Sequence, residues 1–210
     1  MEYPKLDVLK KVAANATEVA GNDREVLTAQ LGRDPRGLVG IGARCACGAP
    51  AVTITWPRLL DGSPFPTLFY LSLPWAVKQI SRVESRGDMA LFNERLATDP
   101  EYAAAHERAH ASYVARRDLL EKVPEIAGKS AGGMPERVKC LHALAGYALA
   151  VGPGVCPAGD DALEMIGWDP AVCHCADSDD AGAGLAEPGS GATGGSGVGL
   201  ASASGAQAQA

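Results

Sequence analysis

Short runs of apolar and β-branched residues in the first half of the chain predict strands. The runs cover residues 38–43, 51–55 and 67–73, and turn-forming Gly and Pro residues lie between them. Strands this short and this close along the chain favour a small antiparallel sheet. A helix is predicted before them, over residues 23–30, because a capping residue precedes it and glycine and proline follow it.

After Pro74 the apolar positions recur with a period near 3.6 residues, which is the period of an α-helix. They predict two helices, or one kinked helix, between residues 77 and 96. Another helix should start at the Asp-Pro cap of residues 99–100, and a third long helix should cover residues 135–152. The predicted fold class is therefore α+β, with a small antiparallel sheet of about three strands covered by three or four helices.

Composition divides the 210 residues into three parts. Residues 177–210 are almost wholly Gly, Ala, Ser and a few acids, which bury too little apolar surface to offset chain entropy. We therefore predict a disordered, acidic C-terminal tail. Residues 1–21 are predicted to be a mobile N-terminal arm. A single α+β domain should occupy residues 22–176, and the hydrophobic fraction of 47% is ordinary for such a domain.

The formal charge of -6 gives no support to nucleic-acid binding, which depends on a basic surface that neutralises phosphates. No stretch approaches the roughly 18 consecutive apolar residues of a membrane span. The first residues also lack the basic-then-apolar order of a secretory signal. We therefore expect a cytoplasmic protein that binds neither nucleic acid nor membrane. In that compartment, six cysteines, four of them in close pairs, favour metal ligands or reactive thiols over disulfides.

Two Cys-x-Cys pairs stand near opposite ends of the predicted domain. Cys45 and Cys47 follow a predicted strand, where residues two apart point to the same side and both sulfurs can reach one ion. Cys173 and Cys175 follow Trp-Asp-Pro and should lie in extended chain. Together the four thiolates predict a tetrahedral metal site, with zinc as the first candidate and iron as the second. Ordinary reduced thiols are the alternative.

A Gly-Gly pair precedes the helix predicted over residues 135–152. The first amides of a helix have no intrahelical partners, and the helix dipole adds partial positive charge there. Gly132 and Gly133 leave the backbone bare, and the cations Arg137 and Lys139 strengthen the positive field. The segment therefore predicts a site for an anionic small molecule, with Arg58 from an upstream loop near it. A flexible connection with solvated cations, and a structural role for Arg58, are the alternatives.

Candidate catalytic groups lie directly after this segment. Cys140 can act as a nucleophile, and His142 or His110 can transfer protons. If Cys140 and His142 are both helical, their side chains point about 200° apart and do not reach one ion. At most one of them is then expected to join the site of Cys45 and Cys47. For His142, a place in the core is the alternative.

Several motifs taken together resemble a known bacterial family. They are Arg44-Cys45, Thr55-x-Pro57-Arg58-Leu59, Asp61-Gly-Ser-Pro-Phe-Pro-Thr67, Ala109-His110, Gly132-Gly-Met-Pro-x-Arg-Val-Lys-Cys-Leu-His142 and Gly152-Pro-Gly154. On these motifs the chain resembles domain-of-unknown-function family 501 (DUF501) over residues 23–170. The resemblance implies an actinobacterial protein encoded near a septum-formation protein and an exopolyphosphatase-like phosphatase. The chain departs from the family pattern at Tyr147, where histidine is usual, and at Cys156, where asparagine is usual.

Three functions are consistent with the sequence. The first is a metal-stabilised protein that binds an anionic small ligand at residues 132–139. The second is a hydrolase of a phosphorylated or acyl substrate, in which Cys140 or a metal-bound water attacks and His110 or His142 transfers protons. The third, implied by the resemblance alone, is a non-catalytic partner protein linked to cell division or polyphosphate metabolism. The sequence does not decide between an enzyme and a binding protein.

Overall fold

A three-stranded antiparallel sheet forms the framework of the computed structural model, which describes residues 4–175. β1 spans Leu38–Arg44, β2 spans Pro50–Thr55 and β3 spans Phe69–Leu71, in the spatial order β1-β2-β3. Every residue of β2 is buried, as is all of β1 except its last residue. Both faces of the sheet are therefore covered, and the predicted α+β class is confirmed.

Seven helices pack around the sheet within the described residues. Their bounds are Leu6–Val12 (α1), Asp23–Leu31 (α2), Pro74–Ser85 (α3), Met89–Thr98 (α4), Pro100–Asp118 (α5), Leu141–Val151 (α6) and Pro157–Met165 (α7), with a 3-10 turn at Pro124–Ile126. None of the helices in this part of the chain is long and apolar enough to cross a membrane. The tail predicted for residues 177–210 lies outside the described residues.

α6 is the central helix of the core. Its residues Leu144–Val151 are all buried, and it packs on the three strands as well as on α3 and α7. The ring of Tyr147 stacks on Phe69 at 5.5 Å and meets Tyr113 edge-on at 5.1 Å. Its hydroxyl donates a hydrogen bond to the carbonyl of Ala109 at 3.2 Å. Tyr147 is therefore part of the packed core.

The N-terminal residues pack onto the same core. Leu9 and Val12 of α1 are 0% exposed, and α1 contacts α5. Thr17 pairs with Ile41 of β1 through backbone hydrogen bonds of 2.9 and 3.0 Å. From residue 4 onward, the segment predicted as a mobile arm thus belongs to the domain. Its apolar residues find their partners on distant elements, which local spacing does not show.

The helix predicted over residues 135–152 begins only at Leu141. The residues before it form a folded loop, in which the carbonyl of Gly132 accepts the N–H groups of Lys139 and Cys140 at 2.7 and 3.2 Å. Gly132 and Gly133 have φ angles of 67° and 97°, which turn the chain sharply and suit glycine alone. The predicted helix start at 132–139 is therefore corrected to a loop that leads into α6.

Candidate metal centre and ligand cavity

The two Cys-x-Cys pairs come together in space. The Sγ atoms of Cys45, Cys47, Cys173 and Cys175 all lie within 4.8 Å of one another, and those of Cys47 and Cys175 are 3.4 Å apart. Sulfurs that bind one tetrahedral zinc ion stand about 3.8 Å apart, given Zn–S bonds of about 2.3 Å. The four thiols are therefore close enough to hold a metal ion.

The turn between β1 and β2 positions the first pair. The N–H of Cys45 donates to the carbonyl of Ala49 at 2.9 Å, and the N–H of Gly48 donates back to the carbonyl of Cys45 at 2.8 Å. Gly48 has a φ of 90°, which allows the chain to reverse within these few residues. The turn leaves Cys45 buried and Cys47 exposed.

An aromatic stack holds the second pair in place. The His174 ring stacks on both Trp75 of α3 and Trp168, with ring centroids 4.0 and 4.8 Å away, and the two indoles are 6.2 Å from each other. The backbone N–H of His174 donates to the Sγ of Cys45 at 3.2 Å. The segment that carries Cys173 and Cys175 is thus packed against α3 and the β1–β2 turn.

The electrostatics of the cluster favour a bound cation. Burial raises the pKa of the Cys45 thiol, but the N–H groups of Cys47 and His174, together with the thiols of Cys175 and Cys47, bring this pKa down to about 7. Burial, together with the hydrogen bonds to Cys47 and Cys45, raises the pKa of Cys175 far above its usual range. Neighbouring thiolates repel one another, and a metal ion removes that repulsion when it binds.

A second group lies where the end of α3 meets the start of α6. Glu84, Cys140 and His142 each offer one ligand atom, a carboxylate oxygen, a sulfur and an imidazole nitrogen, and these three atoms lie within 4.8 Å of one another. The Nδ1 atom of His142 is 3.2 Å from Oε1 of Glu84. The sequence analysis separated Cys140 from His142 on the condition that both are helical, and this condition is not met, because Cys140 precedes the helix in an extended conformation with φ -145° and ψ 108°.

The hydrogen bonds of His142 assign its tautomer. Its Nε2 lies 3.2 Å from the carbonyl oxygen of Val77 and 3.1 Å from Oγ of Ser81. A carbonyl oxygen only accepts, so Nε2 carries a proton and donates it to Val77. Nδ1 is then the nitrogen that faces the Glu84 carboxylate. A lone pair facing a carboxylate is unfavourable, so Nδ1 needs a proton or another cation.

Cys140 and His142 shift each other's protonation. The hydrogen bond from His142 lowers the pKa of the Cys140 thiol against the opposing effect of burial, and the N–H of Ala143 lowers it further. The same bond raises the pKa of His142, and the charge of Glu84 adds to that effect. The N-terminus of α6 also favours negative charge at this position.

An open cavity of about 680 Å³ lies against the loop before α6. Its wall contains His110 and five residues of the predicted site, together with one more cation, one acid and one hydroxyl group that the sequence analysis did not single out. The five are Gly132, Gly133, Arg137, Lys139 and Cys140, and the added residues include Lys129, Ser130 and Glu136. The loop thus gathers most of the predicted ligand-binding residues around one space.

His110 enters the cavity wall from α5. Its Nδ1 is 2.8 Å from Oγ of Ser130, and that hydroxyl donates to the carbonyl of Met134 at 3.2 Å. Because the single hydroxyl proton goes to Met134, Nδ1 of His110 donates to Ser130. Ser130 lies two residues before the motif at residues 132–142, so its closeness to the site could be read from the sequence. Glu84 is far from Cys140 along the chain, and nothing in the sequence indicated that the two residues meet.

Arg58 is not part of this cavity wall. Its guanidinium forms ion pairs with Glu125 at 2.8 Å and with Glu121 at 3.4 Å. It also donates to the carbonyl of Gly62 at 2.7 Å. These partners give Arg58 the structural role that was the alternative in the sequence analysis.

A family model described as "Protein of unknown function (DUF501)" matches residues 41–164, which is more than half of the chain. The matched range contains Glu84, Cys140 and His142, and it ends before Cys173. Comparison with curated proteins gave no match, and comparison with solved structures gave none either. The chain therefore belongs to the DUF501 family, which its sequence motifs also indicated.

Proposed function

We propose that this protein binds an anionic small molecule in the 680 Å³ cavity and is stabilised by a zinc ion held by four cysteines. The charge of the cavity wall carries the proposal. Lys129, Arg137 and Lys139 line the cavity, against the single acid Glu136. Guanidinium and ammonium groups that converge on one space suit a phosphate or a carboxylate.

The four-cysteine cluster supports the structural half of the proposal. Zinc sites with four thiolates have no open position, and they contribute to folding rather than to chemistry. An ion at Cys45, Cys47, Cys173 and Cys175 would join the β1–β2 turn to the segment after α7. Iron also binds thiolates in this geometry and is the second candidate.

Metal content tests the four-cysteine centre. We would purify the full chain without oxygen and measure zinc and iron per chain by elemental mass spectrometry. Cys45→Ser and Cys173→Ser should each lose about one ion per chain relative to the original protein, because the two pairs share one ion. Cys156→Ala is the matched control, since Cys156 is buried and lies outside both ligand groups. Metal content unchanged in either Ser variant would overturn the four-thiolate site.

Thermal unfolding tests the anion site. Inorganic phosphate or pyrophosphate should raise the Tm, since a ligand that binds only the folded state stabilises it. The double variant Arg137→Gln, Lys139→Gln should lose this rise. Lys122→Gln, which removes an exposed cation outside the cavity wall, should retain it. A rise of equal size in the double variant, or no rise in the original protein, would overturn the proposal.

A thiol-dependent hydrolase is the second candidate. It is favoured by the position of Cys140 in the cavity wall, with the imidazole of His142 hydrogen-bonded to it. In this mechanism the sulfur attacks an acyl or phosphoryl centre, the leaving group takes a proton from an imidazole, and water then cleaves the thioester or thiophosphate. Cys140→Ser should abolish hydrolysis of p-nitrophenyl acetate or phosphate, and Cys156→Ala should not. No hydrolysis by the original protein would remove this candidate.

A further inference from the structure

We infer that Glu84, Cys140 and His142 form a second metal site, separate from the four-cysteine centre. It takes a divalent transition ion such as zinc through one carboxylate oxygen, one thiolate and one imidazole nitrogen. All three residues come from the α3–α6 junction, whereas the four cysteines come from the β1–β2 turn and the segment after α7. The site itself does not depend on the proposed function.

The nitrogen and oxygen donors already have the separation of a metal site, and the thiol lies close to both. All three lie within 4.8 Å of one another, and Nδ1 of His142 is 3.2 Å from Oε1 of Glu84. Nitrogen and oxygen ligands of one tetrahedral zinc ion stand about 3.4 Å apart, given bond lengths of about 2.0–2.1 Å. Little movement is therefore needed to bind the ion. His142 and Glu84 side chains are 27% and 24% exposed, so an ion can enter.

Two of the three donors, His142 and Glu84, are oriented by a further hydrogen bond, as is usual for metal ligands. His142 donates its Nε2 proton to the carbonyl of Val77, which directs Nδ1 toward the other two donors. Oε1 of Glu84 accepts the N–H of Leu141 at 2.7 Å. These bonds fix the imidazole and the carboxylate in the orientation that coordination requires.

The chemistry of the three groups favours a metal ion over a proton. Nδ1 of His142 faces a carboxylate and therefore needs a cation, as argued above. A proton on Nδ1 would satisfy that nitrogen, but a single proton does not bind a carboxylate, an imidazole and a thiolate at once. A borderline-soft divalent ion accepts all three ligand types. The convergence of a third donor, Cys140, is thus what distinguishes this group from an ordinary His–Glu pair.

Three protein ligands leave a fourth position on a tetrahedral ion open to water or to a ligand. Cys140 is also in the wall of the cavity, so an ion bound to it would lie at the cavity edge. An anion in the cavity could then complete its coordination. This last step rests on the proposed function, whereas the metal site does not.

Cobalt substitution tests the site in the full chain. We would produce the protein in cobalt-containing minimal medium, purify it without oxygen, and measure cobalt per chain and the absorption spectrum. About two cobalt ions per chain are expected, one with the strong sulfur-to-cobalt band of four thiolates and one with the weaker band of a single thiolate. One ion per chain with only the four-thiolate spectrum would overturn the inference, whatever the variants do.

Variants assign the weaker spectrum. His142→Gln and Glu84→Gln should each lose the single-thiolate signal and keep the four-thiolate signal. Cys45→Ser should lose the four-thiolate signal and keep the single-thiolate signal. Cys156→Ala is the control and should retain both. Persistence of the weaker signal in both His142→Gln and Glu84→Gln would assign it elsewhere and overturn the site.

Inorganic phosphate separates this inference from the proposed function. Phosphate that enters the cavity should change the ligand-field bands of the single-thiolate cobalt and leave those of the four-thiolate cobalt unchanged. Two cobalt sites with no response to phosphate, in spectrum or in Tm, would sink the anion proposal and leave the metal site standing. A phosphate-dependent rise in Tm with only one cobalt ion per chain would support the anion proposal and overturn the second metal site.

Discussion

At the scale of single residues, Arg44 connects the cysteine turn to the N-terminal part of the domain. Its guanidinium donates to both carboxylate oxygens of Asp23 at 2.8 and 2.7 Å and to Oγ1 of Thr17 at 3.0 Å. The Asp23 side chain is only 8% exposed. The hydrogen bonds from Arg44 lower the pKa of Asp23, although burial opposes this. The pair is therefore a partly buried ion pair beside Cys45.

We predict that Asp23→Asn lowers the free energy of unfolding by about 2 kcal/mol at pH 7, the size of a hydrogen bond to a charged group. The folded-state pKa of Asp23 lies below the usual value of 3.8. The stability that the Asp23 carboxylate adds to the folded protein is therefore complete above pH 3.8, and it is lost as the pH falls through the folded-state pKa. Denaturation curves from pH 7 downward should show the two proteins converging below pH 3.8.

The pair of Arg24 and Asp34 supplies a control for this prediction. Its side chains are 45% and 71% exposed, so Asp34→Asn should cost under about 1 kcal/mol. Equal losses in Asp23→Asn and Asp34→Asn would show that burial of the Asp23 pair contributes nothing.

Gly133 is required by the geometry of the loop before α6. A Cβ atom at this position would lie 2.7 Å from the carbonyl oxygen of Arg137, and the φ of 97° is itself unfavourable for other residues. We predict that Gly133→Ala lowers the free energy of unfolding by roughly 2–4 kcal/mol. Gly128→Ala, at φ 68° with open space around it, should cost about 1 kcal/mol. Chemical denaturation of both variants checks the difference, and similar costs would argue against the loop conformation.

At the scale of elements, α1 shows how a short helix becomes part of the domain. Isolated helices of this length are not stable in water, so α1 depends on its packing. Leu9 is fully buried against the sheet, with its methyl groups directed at Gly40 of β1. The absence of a side chain at Gly40 is what allows this contact.

We predict that Leu9→Ala lowers the free energy of unfolding by about 2–5 kcal/mol, the usual cost of truncating a buried leucine. Lys10→Ala, at the neighbouring exposed position, should change it by less than about 0.5 kcal/mol. Urea denaturation of the two variants measures this. A mobile arm would instead give equally small effects at both positions.

At the scale of the whole molecule, the four-cysteine cluster joins distant parts of the chain. Cys45 and Cys47 lie in the turn after β1, and Cys173 and Cys175 lie beyond α7. The aromatic cluster of Trp75, Trp168 and His174 lies directly beside this junction. Metal binding and the environment of two tryptophans should therefore be coupled.

We predict that a chelator that removes the proposed metal from the four cysteines shifts the tryptophan emission to longer wavelength. The reason is that the rings of Trp75 and Trp168 become more exposed to water when the segment that carries His174 is released. The chain has three tryptophans, so variants can assign the signal. Trp56→Phe should keep the shift, because the Trp56 indole donates a hydrogen bond to Glu121 and is not one of the rings that contact His174. The double variant Trp75→Phe, Trp168→Phe should lose it. An unchanged spectrum after complete metal removal would show that the stack holds without the ion.

The sequence by itself determined the three strands, the cap of α5 at Asp99 and the choice of the four cysteines as candidate ligands. These depend on local quantities: the alternation of side chains in a strand, a carboxylate next to free helix amides, and two cysteines separated by a single residue. It also located most of the cavity wall, because those residues are contiguous in one loop.

Only the tertiary structure decided the start of α6, the packing of α1, the ion pairs of Arg58 and the meeting of Glu84 with Cys140 and His142. Each of these depends on contacts between residues far apart in the chain. Cys140 illustrates the reason: a helical pattern would separate it from His142, but the loop folded by Gly132 and Gly133 delays the helix until Leu141. Local pattern predicts elements, whereas the packing between elements decides which side chains meet.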